Sequence, residues 1–113
     1  MPFRVRLTRG AARDLEDISD HVAQVDGPAR AQYVLTRITQ AFEALSEFPH
    51  RGHYPSELLE FGNRRYREVL FKPYRIVHSV DEDAVHVRLI VDGRRNMRNL
   101  LLRRLLRADI SLS

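Results

Sequence analysis

The stretch FKPYRIVHSV, residues 71–80, decides how the chain folds. Tyr74, Ile76, His78 and Val80 alternate with Arg75, Val77 and Ser79. That two-residue period is the mark of a strand with one face on a core. Just downstream, AVHVRLIVDG repeats the alternation. If Glu82 and Asp83 form a two-residue turn, Val80 pairs with Val85 and His78 with Val87. Tyr74, Ile76, His78 and Val80 then share a core face with Val85, Val87, Leu89 and Val91. The opposite face carries Arg75, Val77, Ser79, His86, Arg88, Ile90 and Asp92, and an antiparallel sheet can leave such a face in water. On that wet face Arg75 has Asp92 as a possible ion-pair partner.

Working outward, RRYREVLF is a further strand, and PFRVRL near the start is another, with Phe3, Val5 and Leu7 alternating against Arg4 and Arg6. Thr8 is suited to cap a helix whose apolar stripe is Ala11, Leu15, Ile18, Val22 and Val25. Gly27 ends it, and Pro28 suits the first turn of the next helix. The second stripe is Ala31, Val34, Leu35, Ile38, Ala41, Phe42, Leu45 and Phe48. So short a link implies an antiparallel helical hairpin. FPHRGHYPSELLEFGN, cut by Pro49, Gly52, Pro55 and Gly62, has no period and is expected to be a loop. NMRNLLLRRLLRA closes the pattern as a short helix: Met97, Leu101 and Leu105 form one row, Leu102 and Leu106 the next, flanked by Arg98, Arg103, Arg104 and Arg107. The expected fold is a small α+β domain over residues 1–113, in the order β-α-α-β-β-β-α. Its helical hairpin packs on a curved, mainly antiparallel four-stranded sheet.

Charge divides the chain. Residues 1–60 carry seven arginines against nine acids; residues 61–113 carry eleven arginines and Lys72 against six. The pI is about 10.1. A basic half calls for an anionic partner, either nucleic acid or an acidic protein segment, and guanidinium groups grip phosphate or carboxylate in bidentate fashion. Cysteine is absent, which excludes disulfides and thiolate metal sites. His50 and His53 form an HxxH with no further ligand nearby, a weak metal motif. No metal and no cofactor is expected. The N-terminus lacks a signal-peptide core and no window approaches a membrane span, so a cytoplasmic location with no membrane partner is expected.

Taken together, LTRGAARDLEDISDHV, FPHRGHYPSEL, YREVLFKPYRIVHSV and VRLIVDGRRNMRNLLLRRL resemble the RelE/ParE toxins of type II toxin–antitoxin systems, in their order and spacing. The complete helical hairpin and the GRRNMRNLL ending are closer to the ParE branch. That resemblance implies a growth-arresting toxin silenced by a cognate antitoxin, ParD-like or other, with an acidic C-terminal segment. ParE-like members block DNA gyrase; RelE-like members cut messenger RNA on the ribosome. For a nuclease, the alignment places Arg75 and Arg95 on functional arginines and Arg67 near a lysine position. The tyrosine expected after the GRR-like segment falls near Leu101, which can neither donate nor accept a proton. His86 or Glu68 would then have to move protons. The gyrase reading is therefore preferred over the ribosome-dependent endoribonuclease. Arg67, Arg75, Arg88, Arg94, Arg95, Leu101 and Leu105 are the candidate partner-binding residues.

Overall fold

The computed structural model describes residues 2–106. β1 (Arg4–Leu7) leads into α1 (Arg9–Asp26) and α2 (Pro28–Glu43), followed by a 3₁₀ turn at Ala44–Ser46. The Thr8 hydroxyl caps α1 by accepting from the Ala11 amide at 3.1 Å, and Pro28 opens α2, as their residue types require. Three strands follow: β2 (Tyr66–Phe71), β3 (Tyr74–Asp81) and β4 (Ala84–Asp92). The sheet order is β1-β4-β3-β2, with β1 parallel to β4 and the other pairs antiparallel. The chain ends its described course in α4 (Met97–Leu101) and a π-helical turn at Leu102–Leu106. Element order and α+β class are those expected from the sequence. Arg107 lies outside the described residues.

The hairpin seals one sheet face. Ala11, Val22, Ala31, Val34, Ile38, Phe42 and Leu45 close against Ile76, Val85, Val87 and Ile90. Three residues of the expected stripes, Val25, Leu35 and Phe48, are absent from this core, and two of them are well exposed. Val25 and Phe48 are 65% and 51% exposed, because each stands where its helix has ended or is about to end. The loop after Phe48 is also less irregular than expected. It contains a four-residue helix, α3 (Ser56–Leu59), which buries Leu58.

The opposite face is not wet. Leu58, Tyr66, Val77, Leu89, Val91, Met97, Leu100, Leu101 and Leu105 form a second core there. The turn at Glu82 and Asp83 does pair Val80 with Val85 and His78 with Val87. Beyond that point the ladder slips: His78 faces Val87 but Val77 faces Leu89, leaving Arg88 as an extra residue in β4. Such a bulge reverses the inside–outside parity of the rest of the strand. Leu89 and Val91, expected under the hairpin, lie under α4 instead, and Ile90 takes the hairpin side. The central strands are thus covered on both sides.

His78 is fully buried, and its Nε2–H donates to the Pro49 carbonyl at 3.2 Å. Nδ1 has no partner. Burial holds the imidazole below its ordinary value of 6.5. The unfolded chain therefore binds a proton that the folded chain refuses, so stability is full above about pH 6.5 and falls as pH drops below it. Thermal unfolding at pH 5.5 is expected at a lower temperature than at pH 7.5, and His78→Gln should shrink that difference. Leu101→Ala, which opens a void in the second core, should cost about 2–5 kcal/mol in urea unfolding.

Candidate functional site

Arg75 stands at the junction of β2, β3 and α3. Its Nε donates to Glu68 Oε2 at 2.7 Å. Its two terminal nitrogens donate to the two oxygens of Glu57, both at 2.8 Å. Glu57 comes from the short helix α3 and Glu68 from the neighbouring strand. Strand parity places Glu68, Leu70 and Arg75 on the same face, so the Glu68 contact is built into the β2–β3 register. The Arg75 stem can lie there because residue 93 is glycine. A Cβ at Gly93 would stand 2.8 Å from Arg75 Cδ and 3.1 Å from the Pro73 carbonyl. This gives the GRR segment a packing role that its sequence did not announce.

The network continues outward. The other oxygen of Glu68 meets His53 Nε2 at 2.7 Å, and Glu68 and His53 also exchange backbone hydrogen bonds. The Glu68 side chain is only 4% exposed, while His53 is 59% exposed. A buried carboxylate is tolerated when paired and hydrogen-bonded, and Arg75 supplies both conditions. Hydrogen bonds from Arg75, above all, hold the Glu57 carboxyl below its ordinary value of 4.5, outweighing burial. The same bonds push Arg75 further into the protonated form.

The expected pairing of Arg75 with Asp92 is not made. Asp92 is taken by Arg94, whose Nη2 lies 2.6 Å from Oδ2, and that contact holds the Asp92 carboxyl low. His86 faces the same side as Arg75 but pairs across the ladder with Ser79, four residues along β3, and lies 3.7 Å from Asp81. At about 3.3 Å per residue that is roughly 13 Å from Arg75, too far for both to act on one phosphate. Arg88 donates to Ser79 Oγ at 3.0 Å. Arg67 lies over the Tyr54 ring at 4.4 Å and donates to its hydroxyl at 3.0 Å. Arg94 and Arg95 are exposed. Leu101 and Leu105 are 0% and 3% exposed and serve the second core, so neither presents a side chain to a partner here. The structure thus joins Arg75 to Glu68, two residues that the sequence singled out without pairing them, and adds Glu57 and His53. Only the HxxH spacing had singled out His53.

No group of three or more His, Asp or Glu side chains among the described residues could hold a metal ion. No described helix is long and apolar enough to cross a membrane.

A four-stranded sheet with a helical hairpin on one face and a basic C-terminal helix on the other is the architecture that the resemblance to RelE/ParE toxins led one to expect. The model for the ParE toxin of type II toxin–antitoxin systems, parDE, matches residues 5–97, and the chain belongs to that family. A chain of the chromosomal ParDE system from P. aeruginosa superposes with a TM-score of 0.68 at 22% identity, over 80% of this chain and 95% of that one. A chain of the toxin–antitoxin complex RelBE2 from Mycobacterium tuberculosis gives 0.56 at 23% identity, over 81% and 92%. At such identities the likeness is one of fold. No curated protein matches in sequence.

A carboxyl whose folded pKa is depressed stabilises the fold above its unfolded pKa, and that stability is lost as pH falls through the folded value. Glu57 therefore adds to acid unfolding below about pH 4.5. Glu57→Gln should flatten the fall in unfolding temperature below that pH, measured by circular dichroism. Arg75→Ala takes the guanidinium partner from the buried Glu68 carboxylate, and should cost about 3–5 kcal/mol in denaturant unfolding.

Proposed function

We propose that this ParE-type toxin arrests growth by binding DNA gyrase in the cytoplasm, without chemistry of its own, and that an acidic antitoxin segment relieves the arrest. The observation that supports this reading is the state of Arg75. Phosphodiester cleavage needs a cation free to meet the developing charge, with a base and an acid beside it. Here the guanidinium is spent on Glu57 and Glu68. The position where a tyrosine would serve is Leu101, wholly buried. The exposed guanidinium groups of Arg94 and Arg95 are then surface for a partner rather than parts of a reaction centre.

One observation favours the ribosome-dependent endoribonuclease. His53, exposed and 2.7 Å from the buried Glu68 carboxylate, is a pair able to pass a proton.

The two readings separate in parallel assays of purified protein. Gyrase supercoiling should be inhibited, and ribosome-bound messenger RNA should stay intact. Arg75→Ala is a poor probe here, because it threatens the fold. Arg95→Ala and His53→Gln, both at exposed positions, are the useful variants. RNA cuts that disappear in His53→Gln, with supercoiling untouched, would overturn the gyrase reading in favour of the nuclease.

A further inference from the structure

Three arginines from the less basic half of the chain stand apart from the ion-pair networks described above. Arg30, Arg37 and Arg51 are exposed, and none has a carboxylate partner among the described residues. Each lies over an aromatic ring instead. Arg30 stands 4.9 Å from the centre of the Tyr33 ring. Arg37 stands 5.9 Å from Tyr33 and 5.3 Å from Phe71. Arg51 covers Phe48 at 4.4 Å. The Tyr33 and Phe71 rings meet edge to face, with centres 6.3 Å apart.

These groups form one stripe. Arg30, Tyr33 and Arg37 follow each other at steps of three and four, so they share a face of α2. Phe71, the last residue of β2, meets that face from the sheet. From Arg37 a groove of about 300 Å³ runs between α2 and β2 to Arg51, and no acid lines it. The one acid of α2 is Glu43, at its last position. Cations and flat rings therefore alternate along the surface. Two of the rings remain open to water: Tyr33 is 44% and Phe48 51% exposed. The stripe lies on the hairpin side of the sheet, where Phe71 packs, whereas Arg75 points to α3 on the other side.

We infer that this stripe binds single-stranded nucleic acid. Phosphates meet the N–H edges of the three guanidinium groups. Bases stack on the open rings and on the guanidinium planes that lie against them. An acidic peptide is the other anion that arginines can grip. It would use the charges alone and draw nothing from the pairing of each arginine with a ring. A guanidinium laid flat on a ring is also fixed before a base arrives, so less freedom is lost on binding. A duplex keeps its bases stacked inside, where these rings cannot reach them. The inference goes beyond the gyrase reading and does not rest on it.

The test uses the full chain and fluorescein-labelled eight-residue strands, about the length such a surface can hold, of oligo-dT and oligo-U, read by fluorescence polarisation. Both strands should bind, and the tighter one tells whether DNA or RNA is the natural ligand. The matching dT–dA duplex should bind more weakly. With three phosphate contacts, log K should fall against log salt with a slope of about −2. Arg37→Glu with Arg51→Glu should weaken binding at least tenfold. Tyr33→Ala and Phe48→Ala keep every charge and should each weaken it at least fivefold. Arg13→Glu, an equal change of charge at an exposed position on α1, should leave it within twofold. Circular dichroism of each variant should stay native. Should one ring variant fail to fold, the other and the amide shifts of the wild type on adding oligo-dT decide; those shifts should fall on Arg30–Arg37 and Phe71. No binding at millimolar strand, a duplex that binds as tightly, ring variants with unaltered affinity, or an Arg13→Glu loss equal to that of the stripe would overturn the inference. An acidic Glu–Val heptapeptide that binds the stripe where the oligonucleotides do not would overturn it in favour of a protein partner. Failure of the wild type to inhibit gyrase would sink the proposed target and leave this result standing.

Discussion

Arg88 is one residue more than the β3–β4 ladder can pair, and much of the molecule follows from where it goes. By interrupting the ladder it turns the end of β4 over. Leu89 and Val91 leave the hairpin side and become the floor on which α4 lies. Without that reversal the apolar rows of Met97, Leu101 and Leu105 would find arginine and aspartate instead of valine and leucine. The inference is physical: apolar surface must meet apolar surface, and a period of two allows only one residue's slip to exchange the faces. A sheet that looked half-solvated is therefore enclosed over its central strands.

Enclosure changes what the arginines can do. Arg75, at the start of β3, is drawn into a nearly dry place and needs carboxylates to stay charged there. Glu57 and Glu68 meet that need from two different elements. Arg104 does similar work on the α1 side of β4. It grips Asp14 of α1 with two bonds, at 3.0 and 2.9 Å, while Asp14 also accepts from the Ile90 amide at 3.1 Å. One carboxylate thus ties the C-terminal turn, the first helix and the uncovered end of β4. Part of the basic half is consumed in holding the domain together. Of that half, Arg94 and Arg95 stay exposed on the outside, while Arg37 and Arg51 of the first half line the groove beside β2.

For a toxin this distribution matters more than the total charge. Buried bidentate pairs fix shape and are costly to break; exposed guanidinium groups steer and select an anionic partner at little cost to stability. The open rings of Tyr33 and Phe48 add flat faces to that outer set. A partner that uses them need not disturb either core, so binding and unfolding are separate events.

The sequence by itself determined the elements and their order. Thr8, Gly27–Pro28 and the hairpin stripes are local signals, and local physics placed them correctly. The β3–β4 turn and the pairing of Val80 with Val85 were likewise legible, because turn length sets register at the near end of a hairpin. Beyond the His78 pairing, Leu89 and Val91 alternate with Arg88, Ile90 and Asp92 whether or not a bulge precedes them, so the alternation does not say which sheet face each set takes. Only the arrival of α4 from one side and the α1–α2 hairpin from the other chooses between them. The Arg75 network was hidden for a related reason. Glu57 sits 18 residues upstream in what looked like structureless loop, and Glu68 looked like one more charge on a strand. Ion pairs between distant segments leave no period in a sequence; they exist once packing has brought the segments together and removed the water.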